Sequence, residues 1–126
     1  MIGEDAQKRA GVPNDLFEMA NLPKSNTGID GCIRITTQEA AHAPRVKYFT
    51  GRPTKSAPYM VVTIAPEPEV IENSQPEHVR IRFEEPVKQW IKANYEKLRD
   101  FWYTGGEMMD DEVSAMVASL VKWPIP

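Results

Sequence analysis

The chain has 126 residues, a mass of 14.3 kDa, a formal charge of −3 and a pI of about 5.4. That length suits one core and leaves little for a second. No run approaches the roughly 20 apolar residues that span a bilayer, and no charged-then-apolar start reads as a secretory signal, so a cytoplasmic protein without membrane attachment is expected. One cysteine, Cys32, and two histidines, His42 and His78, exclude an internal disulfide and leave little for a zinc site, so neither metal nor cofactor is expected.

Residues 1–12 are polar, with Gly3, Gly11 and a cluster of charges, and read as a flexible arm before a single domain over 13–126. Asn14 precedes Asp15-Leu16-Phe17-Glu18-Met19-Ala20, which reads as an N-cap and the acidic first turn of a short helix stopped by Pro23. The apolar residues from Leu16 to Leu22 would dock that helix on the core. Residues 24–31 form a loop.

Period-two alternation follows. Ile33 and Ile35 share one face of a strand, and Cys32, Arg34 and Thr36 the other. Residues 38–44 are a loop. In the next strand Val46 and Tyr48 lie opposite Arg45, Lys47 and Phe49. A second loop carries Gly51, Pro53 and Pro58. Residues 59–65 are apolar on both faces, which predicts a central strand. Residues 69–71 predict a short edge strand after Pro66-Glu67-Pro68, and 79–83 alternate like a further strand.

Two helices close the chain. Val87, Trp90, Ile91, Tyr95, Leu98, Phe101 and Trp102 make one apolar stripe, with Pro86 suited to the first turn and Gly105-Gly106 to a stop. Val113, Met116, Val117, Leu120 and Val121 make a second stripe, from about Asp110 to Pro124. Strands followed by helices predict an α+β fold. It has a small antiparallel sheet of three to five strands, a short N-terminal helix and two C-terminal helices packed on one face.

The runs Asp15-Leu16-Phe17-Glu18-Met19-Ala20-Asn21-Leu22, Thr27-Gly28, Pro44-Arg45-Val46-Lys47 and Trp90-Ile91-x-x-Asn94-x-x-x-Leu98-x-x-x-Trp102 carry a resemblance. Over roughly residues 13–123 the chain is similar to a group of short uncharacterised bacterial proteins, of a domain-of-unknown-function type. The resemblance implies a small α+β fold and no established activity. Where the broader group has Pro-His-x-His, this chain has Pro44-Arg45-Val46-Lys47, so no histidine-based role transfers. Some proteins of this kind resemble members of paired toxin–antitoxin modules.

Most polar groupings have plain structural explanations. The aromatic stripe has helical spacing throughout, as core packing requires. Asn94 interrupts it, and a buried amide there must bond to backbone or cost roughly 1–3 kcal/mol. Glu39 with His42 lacks a nucleophile nearby. Cys32, His42 and His78 lack metal-ligand spacing. Glu67, Glu69 and Glu72 suit an edge strand that discourages pairing. Asp110-Asp111-Glu112 complement a helix start and, being consecutive, point to different faces.

One grouping suggests function. Arg34, Arg45, Lys47, Arg52 and Lys55 stand against Glu39 alone, a local charge of +4 that leaves −7 for the rest. Cations neutralise phosphates, and Phe49 among them could stack a base. The expectation is a small non-enzymatic interaction protein. It would bind nucleic acid through this basic ribbon, or a protein partner or second copy through a strand edge. The alternative is a small RNA-directed hydrolase using Arg45, Lys47 and His42.

Overall fold

The computed structural model describes residues 19–38 and 42–126. The fold is α+β, built on a five-stranded antiparallel sheet. Its strands are β1 (Met19–Leu22), β2 (Cys32–Thr36), β3 (Arg45–Phe49), β4 (Met60–Thr63) and β5 (Val70–Asn73). Their order in space is their order in sequence, so each strand pairs with its chain neighbours. A four-residue helix, α1 (Lys24–Thr27), joins the first two strands. Helices α2 (Glu77–Ala93), α3 (Tyr95–Thr104) and α4 (Asp110–Ala118) follow the sheet. Among the described residues, no helix is long and apolar enough to cross a membrane.

Strand alternation sorts the sheet into two faces. Leu22, Ile33, Ile35, Val46, Tyr48, Met60 and Val62 are buried in one cluster with Phe83, Val87, Trp90 and Ile91 of α2, Leu98 and Phe101 of α3, and Leu120. The register runs Leu22–Ile33–Tyr48–Met60 across four strands, so one side of the pleat supplies one side of the core. The Tyr48 hydroxyl donates to the carbonyl of Asp30 at 2.6 Å. Burial pushes its phenol well above the ordinary value of 10.0, with the Asp30 charge adding to the effect.

Several expected boundaries differ. Met19–Leu22 is a strand and not the end of a helix. It pairs with β2 over four positions and turns Ala20 and Leu22 towards Ile35 and Ile33, satisfying backbone groups that β2 would otherwise leave open. The expected N-terminal arm and residues 13–18 lie outside the described residues. Residues 79–83 are helical, not a strand. In α2, Val79, Phe83 and Val87 fall at i, i+4 and i+8 towards the core, while Ile81 is 75% exposed. The helix therefore starts ten residues before Val87 and carries Pro86 in its interior.

β4 is an interior strand with Met60, Val61 and Val62 all buried, as its two apolar faces predict. Two helix boundaries differ as well. The stripe from Val87 to Trp102 spans two helices that break at Asn94, where the backbone leaves helical geometry (φ −114°, ψ 20°). Helix α4 ends at Ala118, well before Pro124.

Two close approaches tie the ends of this fold together. Gly28 caps α1 with φ +82°, and the backbone of Trp123 lies where a Cβ would stand. The Trp123 N–H donates to the Thr27 carbonyl at 2.8 Å. The Asn94 amide is buried. It donates to the carbonyls of Trp90 (2.9 Å) and Val121 (3.0 Å) and accepts from the Val121 N–H (2.8 Å).

Candidate nucleic-acid interface

The cations of the ribbon begin with strand parity. Side chains alternate across a strand, so the face opposite the core carries Asn21 of β1, Cys32 and Arg34 of β2, Arg45, Lys47 and Phe49 of β3, Val61 and Thr63 of β4, and Glu72 of β5. Register then joins them in a row: Asn21, Arg34, Lys47, Val61 and Glu72 lie across from one another on successive strands. Arg34 and Lys47 are thus direct cross-strand neighbours, with Cβ atoms about 5 Å apart. Like charges set opposite each other repel, so their placement needs support.

The support is aromatic. The Arg34 guanidinium lies 5.2 Å from the Phe49 ring centroid, and the Lys47 ammonium 4.6 Å from that of Tyr59. The two rings are themselves tilted against each other at 6.1 Å. An aromatic face attracts a cation electrostatically and draws the two heads to separate rests. Arg34 also donates through Nε to Asn21 Oδ1 at 2.9 Å and through an Nη to the carbonyl of Pro53 at 3.4 Å. That leaves most of its five N–H groups uncommitted. Tyr59 is held from its other end, its hydroxyl donating to Glu72 at 2.8 Å, which raises the pKa of the phenol.

The remaining ribbon residues are more dispersed. Arg45 lies two residues along β3 on the same face and donates through Nε to the Ala43 carbonyl. Arg52 and Lys55 are exposed on the loop over 50–59 that continues β3. Among the described residues, none of these five cations has a carboxylate within ion-pairing distance. Elsewhere Lys24 and Arg82 pair with Asp30, Arg80 with Glu84 and Lys92 with Glu67.

Phe49 does not present a free ring. It is 3% exposed beneath Arg34, so it supports a cation and cannot stack a base. Tyr59 is the aromatic at the margin of the face. Sequence reasoning placed it in a strand without assigning it a role, although its even spacing from Val61 and Thr63 puts it on the cationic side. Asn21, the acceptor for Arg34, was hidden by the helical reading of residues 15–22.

The other groupings assemble no site among the described residues. His42 is exposed at the start of its described segment, and Glu39 lies outside the described residues. His78 is exposed in the first turn of α2, far along the chain from half-buried Cys32 on β2, whose thiol pKa is raised by burial. Among the described residues, no three His, Cys, Asp or Glu side chains are grouped to hold a metal ion. The carboxylate of Glu112 accepts from the Met109 N–H at 2.8 Å, at the start of α4.

No protein-family model, curated protein or solved structure matches this chain.

Proposed function

We propose that this chain is a non-enzymatic binding protein that takes a nucleic-acid partner on the outer face of its sheet. The observation that carries the reading is the cross-strand pair Arg34 and Lys47, each resting on an aromatic ring and neither neutralised by a carboxylate among the described residues. Two charges held side by side without a counter-charge gain most from a ligand that brings several negative groups. A phosphate chain does so and releases its own condensed counterions. The remaining surface is acidic on balance and repels phosphate, which confines contact to this face.

A protein partner added to the outer edge of β5 is less favoured. That edge carries exposed Glu69 and Glu72, and β4–β5 pairing is interrupted by a bulge next to Val61 and Val62, both of which discourage strand addition. The hydrolase reading has no carboxylate set beside Arg45, Lys47 or His42 among the described residues.

The test is binding of labelled nucleic acid to the wild type and to Arg45→Glu/Lys47→Glu across a salt series. The double reversal should weaken binding at least about tenfold, since it exchanges two favourable contacts for repulsive ones. With at most five cations engaged, the slope of log affinity on log salt should not exceed about 3.5 for a single strand or about 4.5 for a duplex. Unchanged affinity and slope in the double variant would refute the assignment.

A further inference from the structure

The sheet cations of the outer face form a track over two adjacent strands, β2 and β3. Arg45 and Lys47 succeed each other along β3, Arg34 stands beside Lys47 on β2, and Arg52 and Lys55 follow in the loop that continues β3. To one side, beyond β4, lie Glu72 on β5 and the exposed Glu67 and Glu69 before it. Two strand spacings, about 10 Å, separate β3 from this acidic border. On the other side β1 offers neutral Met19 and Asn21.

A duplex presents two phosphate backbones, set apart by grooves roughly 6 and 12 Å wide. One backbone laid along β3 sends the other either over the β5 glutamates, where it is repelled, or past β1, where it meets no ribbon cation. A lone strand has only the backbone that the track can neutralise, and it can bend to follow it. It also offers unpaired bases, whose faces a duplex keeps stacked inside.

Tyr59 is placed to receive such a base. Its hydroxyl is fixed on Glu72 and its ring leans on Phe49, so the ring is held while the flexible Lys47 ammonium rests over it. A phosphate is a stronger partner for an ammonium than a ring face. Contact with the backbone would draw Lys47 off the ring and leave it free for stacking.

We propose that the ligand of this face is single-stranded nucleic acid lying along β3, its backbone over Arg45, Lys47 and Arg52 and one base against the ring of Tyr59. This rests on the reading of the face as a nucleic-acid site and narrows it.

The experiment compares binding of the full chain to labelled 12-mers of dT and rU, to a 12-base-pair duplex and to heparin at low salt. Single strands should bind at least about tenfold tighter than duplex. Tyr59→Leu should weaken single-strand binding about fivefold or more, the lower end of what one lost base stack costs. Heparin has no base to stack, so its binding should fall by less than that of single strands, and an equal loss on both would overturn the inference. Tyr59→Phe keeps the ring and should bind single strands like wild type. Duplex binding as tight as single-strand binding would overturn the inference. So would heparin and single strands that both bind with no response to Tyr59→Leu, although the polyanion face would then stand. If neither single strand nor the duplex binds, the nucleic-acid reading itself is removed, and this inference with it.

Discussion

The side chain of Asn94 lies at the break between α2 and α3, shut from water, with both amide hydrogens and its oxygen committed to backbone. One partner, Trp90, lies in the last turn of α2, and the other lies in the segment after α4. Truncation to alanine would leave the Val121 N–H and carbonyl to find new partners, while the Trp90 carbonyl keeps the bond from the Asn94 backbone N–H. Asn94→Ala is therefore expected to cost about 2–3 kcal/mol, read as a shifted urea midpoint with unchanged slope. The need for such bonding is legible in the sequence, because an amide on an apolar stripe has few other ways to exist. The partner is not, since nothing local to Asn94 points to Val121. Phe49 shows the opposite case. Its position among cations suggested a stacking surface, but strand parity cannot reveal that the neighbouring guanidinium lies over the ring.

At the level of elements, the stretch Val79-Arg80-Ile81-Arg82-Phe83 satisfies two periods at once. As a strand it would align Val79, Ile81 and Phe83. As part of α2 it turns Val79 and Phe83 inward and Ile81 out, and the structure adopts the second. The two arrangements make opposite demands on Ile81. Ile81→Lys should change stability by no more than about 0.5 kcal/mol, as exposed helix positions do. Phe83→Ala should cost about 3–5 kcal/mol by removing a ring that packs on Tyr48 at a centroid distance of 5.3 Å. Chemical denaturation of both variants tests this, and a large loss in Ile81→Lys would contradict the helical placement. The strands β2 to β5 were legible because their alternation is bounded by Gly, Pro and Asn and admits no competing helical stripe. β1 was not, because four residues of alternation are outweighed by an N-cap signal just before them.

Across the whole molecule, the fold closes by bringing residues near 120–123 back to α1 and to the α2–α3 break. The approach is tight at Gly28, whose φ of +82° disfavours other residues and whose missing Cβ leaves space for the Trp123 backbone. Gly28→Ala should displace this closing segment and lower stability by about 2 kcal/mol or more, through left-handed strain and lost contact together. Faster tryptic cleavage at exposed Lys122 would report the displacement, and a wild-type cleavage rate would contradict it. Charge is also arranged at this scale. The excess of +4 over residues 34–55 was countable from sequence, and parity placed Arg45 and Lys47 on one face. The alignment of Arg34 with Lys47 was not legible, because the intervening loop fixes no register.

The strictly sequential strand order has a consequence for synthesis. A ribosome delivers the complete sheet once residue 73 has emerged, but Phe83, Trp90, Leu98 and Phe101 come afterwards. At ordinary elongation rates the intervening residues take roughly 2–6 s. Throughout that interval Ile33, Ile35, Val46, Tyr48, Met60 and Val62 belong to a nascent chain whose covering helices do not yet exist. Until translation has passed α3, those side chains lack the helical cover that the finished chain gives them.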